Sequence, residues 1–393
     1  MESGLSRTAV DSAEWQAIPV FERPLHVGQP NIGDRAMFDG LVDQMFERRW
    51  LSNDGPLVQD FEQRIADFAG VKHCVAMSNG TAALEIAIRA LGLSGEVIVP
   101  SYTFVATAHA LQWQGITPVF ADIDPLTHNL DPESVRRMIT PRTTGIIGVH
   151  LWGRPAPVRE LQEIADEHGL QLMFDAAHAF ATTLGGKRIG GFGRAEIFSF
   201  HATKFFNTFE GGAVVTDDDE IAAAARLMRN FGFAGHDNVV SDGTNAKMTE
   251  VCAAMGLTNL AGVDAVIETN HRNYTAYQDA LSGIPGVRLT QYDEAEECNF
   301  QYITVEVDDG PVSRDEIVAA LISKNVLARK YFWPGCHRMQ PYRDLYPDAG
   351  ALLPNTEKVA ARVIVLPTGT AVDEDAVASI SEMIRVLTGG HAL

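Results

Sequence analysis

The chain has 393 residues, 46% hydrophobic and 21% charged. That is enough for a sizeable core in about two or three domains, with no need for disulfides or a structural metal. Acids outnumber bases 51 to 31, a formal charge of -20, which argues against broad nucleic-acid binding because that rests on Lys and Arg neutralising phosphates.

Cys74, Cys252, Cys298 and Cys336 lie far apart, with no CxxC pair and no metal-ligand spacing, so free thiols and no metal site are expected. Residues 1–20 show little pattern and read as a mobile arm without a signal-peptide core. The longest stretch free of Asp, Glu, Lys and Arg, residues 97–121, contains Pro100, Gly115 and Pro118. It reads as strand, loop, helix and strand, not as a membrane span. A cytoplasmic protein is expected.

From residue 56 helix and strand signals alternate. The spacing of Leu57, Phe61, Ile65 and Phe68 predicts a helix over 57–68. Strands follow at 73–77, 96–100, 117–121, 145–150 and 171–174. Helices are predicted at 80–91, 103–112, 132–138 and 157–168. This alternation implies an α/β fold, a mostly parallel sheet with helices on both faces. One long helix is expected over 248–280, then a strand at 300–307 and helices at 313–323 and 374–387. The change of pattern divides the chain into the arm 1–20, a large domain 21–265 and a smaller α+β domain 266–393.

Open α/β sheets bind ligands at the carboxyl ends of their strands. Ser78-Asn79-Gly80-Thr81 stands there before a helix and reads either as a helix cap or as a phosphate cradle. Asp175 ends the apolar strand Leu172-Met173-Phe174. It could cap the next turn or hold a cationic ring nitrogen. Lys204 is isolated among apolar residues and is followed by Glu210-Gly211-Gly212. A desolvated lysine loses its proton more easily and becomes a nucleophile for a carbonyl, although a lysine that reaches out to solvent is the alternative. Phosphate cradle, aromatic Phe104, carboxylate and isolated lysine follow in the order used by pyridoxal phosphate enzymes.

The segments Ser78-Asn79-Gly80-Thr81-Ala82-Ala83-Leu84, Val99-Pro100-Ser101-Tyr102-Thr103-Phe104-Val105-Ala106-Thr107, Val149-His150-Leu151-Trp152-Gly153, Asp175-Ala176-Ala177-His178 and the run 199–212 carry a further resemblance. The chain resembles the DegT/DnrJ/EryC1/StrS sugar-nucleotide aminotransferases, a family of fold type I pyridoxal phosphate enzymes. The resemblance covers nearly the whole chain. It implies a large domain with a seven-stranded type of sheet, pyridoxal 5'-phosphate as cofactor and a homodimer with shared active sites. It also implies roles. Lys204 matches the Schiff-base lysine, Asp175 the partner of the ring nitrogen and Phe104 the stacking aromatic. Gly80, Thr81 and Ser199 match phosphate ligands, and Asn245 an Asn that reaches the neighbouring subunit's phosphate. His178 stands where many members carry Gln, and either could bond the ring hydroxyl. Relatives with His in place of the lysine are dehydratases, so the intact Lys204 favours transamination.

The segment Arg329-Lys330-Tyr331-Phe332-Trp333-Pro334-Gly335-Cys336-His337-Arg338 departs from the commoner His-Tyr-x-Pro-Leu-His pattern. It looks like the subgroup acting on dTDP-4-keto-6-deoxyhexoses, with Lys330, Tyr331 and His337 as candidate substrate contacts. Rings would stack on base or sugar and cations would meet the diphosphate. The expected reaction moves an amino group from L-glutamate to C4 of dTDP-4-keto-6-deoxyglucose. Amination at C3 of a 3-keto sugar is the first alternative. A regulator that binds the cofactor without turnover is the alternative from another class.

Overall fold

The computed structural model describes residue 10 and residues 12–389 except 309 and 311. Its centre is a seven-stranded sheet built from β1 (His73–Met77), β2 (Glu96–Pro100), β3 (Thr117–Ala121), β4 (Thr143–Val149), β5 (Gln171–Asp175), β6 (Glu196–Ser199) and β7 (Gly212–Thr216). The spatial order is β1-β7-β6-β5-β4-β2-β3, and only β7 runs against its neighbours.

Alternate strand residues face opposite layers, as the two-residue period of a strand requires. Val75, Met77, Val97, Val99, Ile147, Met173 and Ile197 pack on one side with Ala83, Leu84 and Ala87 of a helix at Gly80–Ala90. Cys74, Ala76, Phe198, Ala213 and Val215 face the other side, against Phe61 and Ile65 of a helix at Pro56–Ala69. Further along that side Ile98, Ile146, Leu172 and Phe174 meet Leu161 and Ile164 of the helix Val158–His168. Both faces are therefore covered, the arrangement in which parallel strands read as continuous apolar runs.

A second, antiparallel sheet of β8 (Val287–Leu289), β9 (Ile303–Val307) and β10 (Val363–Leu366) packs with helices Arg314–Ser323 and Glu374–Thr388. The strand expected from residue 300 starts at Ile303, because Phe300 has φ 48° and cannot continue an extended chain.

Two other expectations change. The single helix expected over 248–280 is two, Glu250–Leu260 and Val263–Leu281, bent by 62°. The break falls at Gly262, a residue with little helix preference. The first half packs on Pro56–Ala69 and the second on Glu374–Thr388, so the bend carries the chain from one sheet's layer to the other's. Among the described residues no single helix is long and apolar enough to cross a membrane, although this bent pair is by length and composition.

Of the arm expected to be mobile, residues 1–9 and 11 lie outside the described residues. The part that is described is docked. Ser12 caps a short helix, Ala13–Ala17, and Trp15 is buried against the second sheet's core. Lys324 Nζ donates to the Ile18 carbonyl at 2.7 Å and lies 5.2 Å from the Trp15 ring. Burying one large apolar side chain stabilises by about 2 kcal/mol, a contribution a free arm would lack.

Candidate active site

The strand register builds the anion cradle. Gly212 on β7 pairs with Met77 on one side and Ser199 on the other. That register sets Ser199 beside the turn that leaves β1. A Cβ on Gly212 would lie 2.6 Å from backbone atoms of Asn79 and Gly80, so only glycine allows this approach. Asn79 caps the following helix by accepting from Ala82 N–H at 2.8 Å, and Ser78 N–H donates to the Ala246 carbonyl at 2.7 Å. Gly80 and Thr81 thus open a helix whose first N–H groups have no intrahelical acceptor and whose end carries about half a positive charge. The end faces a cavity of about 720 Å³.

Asp175 stands at the end of β5, 6% exposed. Its Oδ2 accepts from Thr107 Oγ1 at 2.8 Å and its Oδ1 from Ala177 N–H at 3.1 Å. Burial pushes its carboxyl up, against the pull of these hydrogen bonds and of Lys204. Lys204 lines the same cavity. Desolvation lowers its amine to about pKa 8, with Asp175 opposing. A substantial neutral fraction at mildly basic pH makes the amine a competent nucleophile.

His178 is buried. Desolvation, and then Lys204, hold its ring well below the ordinary histidine range, so it is neutral near pH 7. Its Nδ1 accepts from Trp152 N–H at 3.3 Å, which puts the ring proton on Nε2. The His178 carbonyl accepts from Asn299 and Gln301 side chains at 2.8 and 2.7 Å, fixing the residue from behind.

Gly80, Thr81, Phe104, Asp175, His178, Ser199, Lys204, Asn245 and Tyr331 all line the one cavity. The helix expected from residue 103 begins at Ala106, so Phe104 lies outside it, 57% exposed and lining the cavity. Asn245 lines the cavity of its own chain, where its Oδ1 accepts from Lys247 Nζ at 2.7 Å.

Lys330 and His337 do not line it. Lys330 pairs with Asp315 at 3.2 Å and lies over Trp333. His337 is 1% exposed, with Nδ1 2.7 Å from Ser101 Oγ and Nε2 2.9 Å from Glu357 Oε1. Arg338 also pairs with Glu357, at 2.6 Å, and Arg329 covers the Tyr331 ring. The cations of loop 329–338 are therefore engaged within the chain, and the loop offers the cavity Tyr331 and Phe332 instead.

Sequence reasoning missed Thr107 and Tyr302. Thr107 was inside a recognised motif without a role. Tyr302, whose hydroxyl lies 3.3 Å from Lys204 Nζ, was hidden in an apolar strand pattern.

The donor set suits pyridoxal 5'-phosphate. A helix end and Ser199 can take a phosphate, a carboxylate can take a ring nitrogen and an amine can take an aldehyde. A Cβ at Gly80 would come 3.0 Å from Ser199 Cβ, so the cradle is open only because no side chain fills it.

Fold and site together define a fold type I transferase. Residues 34–385 match the DegT/DnrJ/EryC1/StrS aminotransferase family, and the chain belongs to it. Members of this family are pyridoxal phosphate enzymes. The chain is 35% identical over 367 residues to the dTDP-4-amino-4,6-dideoxy-D-glucose transaminase of Escherichia coli, covering 92% of this chain and 98% of that one. It is 37% identical over 314 residues to the GDP-perosamine synthase of Caulobacter vibrioides, covering 78% and 84%. Among solved structures, DesI in the presence of its TDP-sugar product superposes with a TM-score of 0.91 at 48% identity, covering 98% of each chain.

Proposed function

We propose that this aminotransferase binds pyridoxal 5'-phosphate and moves an amino group from L-glutamate to C4 of dTDP-4-keto-6-deoxyglucose, giving dTDP-4-amino-4,6-dideoxyglucose. The observation that carries the chemistry is Lys204 and Asp175 facing one cavity that an open helix end also lines. The similarity to DesI and to the E. coli transaminase supports the choice of substrate.

When bound, the cofactor supplies an aldehyde and a ring that takes up electrons from a breaking C–H bond. Gly80, Thr81 and Ser199 would hold its phosphate, and Phe104 would cover a ring face. Asp175 would keep the proton on the ring nitrogen, and His178 would offer Nε2–H to the ring oxygen. Lys204 would hold the cofactor between turnovers, and its free amine would take up and give back the proton that moves between carbons. L-Glutamate leaves as 2-oxoglutarate, and the keto sugar leaves with the nitrogen.

We further infer a homodimer in which Asn245 serves the partner's phosphate. Exposed Phe209, Phe231, Phe233, Val239 and Val240 support it, since an apolar surface of this kind is typical of an interface. Phe231 lies under Lys247, itself bonded to Asn245, which ties that surface to the cavity rim.

The test is incubation with L-glutamate and a panel of keto-sugar nucleotides, followed by NMR of the product. Nitrogen at C4 of the dTDP sugar is expected. Nitrogen at C3 would move the assignment to a 3-keto substrate. Bound cofactor that never accepts an amino group from any amino acid would mark a protein without turnover.

A further inference from the structure

We propose that Tyr302 is a positioning residue for the Lys204 amine, holding it over the cavity whenever it is free of the cofactor. Tyr302 immediately precedes β9, so the second sheet delivers its hydroxyl to a site whose cradle, Asp175 and Lys204 come from the first. The ring is 7% exposed, with its centroid 4.6 Å from that of His178 and 5.4 Å from that of Trp152. Its carbonyl accepts from Tyr292 Oη at 3.1 Å, which pins the backbone as well. Ring and backbone are thus fixed before any ligand arrives, and the phenolic oxygen has one place to be.

That oxygen lies 3.3 Å from Lys204 Nζ, which is the hydroxyl's one hydrogen-bond partner among the described residues. Lys204 in turn makes no ion pair within 4.0 Å among them; Asp175 acts on it from farther away. The other titratable groups lining the cavity are neutral His178, Glu85, Tyr331, and His201 and Glu210, which pair with each other at 3.5 Å. A lysine stem has four rotatable carbons, and an amine that must leave a carbonyl and then reach two different carbons needs a fixed acceptor to return to. A phenol accepts through its lone pairs while keeping one O–H to donate. With Lys204 N–H donating to it, Tyr302 still has a proton to offer into the cavity. No proton is gained or lost overall, because Lys204 takes up and gives back the same one.

The proposal uses the aminotransferase reading only for its effect on rate. The Lys204–Tyr302 bond itself is tested on the full chain freed of cofactor. The variant is Tyr302→Phe, which keeps the ring against His178 and Trp152 and removes only the oxygen. The pH dependence of covalent pyridoxal phosphate capture reports the protonation of the amine. Losing an acceptor destabilises the ammonium, so the midpoint should fall in the variant, by about half a pH unit or more. In the loaded enzyme both half-reactions should slow about ten- to hundredfold in kcat, with KM for glutamate and for the keto sugar little changed.

An unmoved midpoint overturns the proposal, whatever happens to the rates. So does a loss confined to the sugar half-reaction, which would make the hydroxyl a substrate contact. If the unaltered protein transaminates nothing, the reading of its function fails, while the shift in midpoint still decides the role of Tyr302.

Discussion

Thr107 donates a 2.8 Å hydrogen bond from its hydroxyl to Asp175 Oδ2. The two residues stand on different elements, the helix Ala106–Gln112 and the end of β5. The bond opposes the burial that pushes the Asp175 carboxyl up, and so helps to keep it charged. Asp175→Asn should weaken cofactor binding and slow both half-reactions by on the order of a hundredfold, since a preset charge opposite developing charge is worth several kcal/mol. Thr107→Val should do the same more mildly, because a hydrogen bond to a charged group contributes about 1.5–3 kcal/mol. Separate stopped-flow traces of the two half-reactions check this; a loss confined to the sugar step would remove Asp175 from the ring nitrogen.

Lys204→Ala should still take up the cofactor through the cradle and ring contacts but form no covalent link to it. Turnover should fall by several powers of ten, each about 1.4 kcal/mol. Borohydride reduction followed by mass spectrometry of the peptide decides the first point, and steady-state assays the second.

The lowered amine of Lys204, about pKa 8, predicts a pH profile. Only the neutral amine attacks an aldehyde. The rate of cofactor capture by the cofactor-free chain should therefore rise about tenfold per pH unit below 8 and level off above it. The sign for stability follows: an unfolded lysine keeps its proton up to about pH 10.4, so between pH 8 and 10 the unfolded chain binds more protons. This residue's contribution to folding of the cofactor-free chain then becomes more favourable as pH rises through that window. A capture rate still climbing steeply at pH 10 would mean that Lys204 is not desolvated.

Loop 329–338 now separates into two kinds of residue. Tyr331 lines the cavity, and Tyr331→Ala should raise KM for the keto sugar about tenfold while the glutamate half-reaction changes less. His337 ties Ser101 to Glu357 beneath the loop. His337→Ala should lower the melting temperature first, since a buried donor or acceptor left alone costs about 1–3 kcal/mol. Thermal melts and half-reaction kinetics on both variants tell the roles apart, and a selective rise in sugar KM for His337→Ala at unchanged stability would restore it as a substrate contact.

Asn245→Ala tests the shared site. Mixed with Lys204→Ala under subunit exchange, it should give hybrids with one site carrying both lesions and the other neither. Up to about half of normal activity per hybrid dimer should return. No recovery, with hybrids shown to form by native mass spectrometry, would confine each site to a single chain.

The sequence by itself determined the layers and the order of the chemistry. Strand and helix periods are local properties of apolar spacing, which is why β1, β2 and β3 fall where Val75, Ile98 and Val119 predict them. The cradle, Asp175 and Lys204 were legible because parallel strands bring their carboxyl ends to one edge, so order along the chain becomes adjacency in space. What only the tertiary structure decided depends on partners far away in sequence. Lys330 reads as a free cation until Asp315 is folded against it, and His337 reads as a ligand until Ser101 and Glu357 bury it. Trp15 reads as part of a loose arm until the second sheet's core closes on it. Tyr302 has the opposite history: an apolar strand residue by its pattern, it gains a role because the second sheet, arriving 98 residues later in the chain, sets its oxygen beside Lys204. Charge and periodicity are written residue by residue, but desolvation and pairing are properties of the packed chain, and they decide which polar side chains remain available for chemistry.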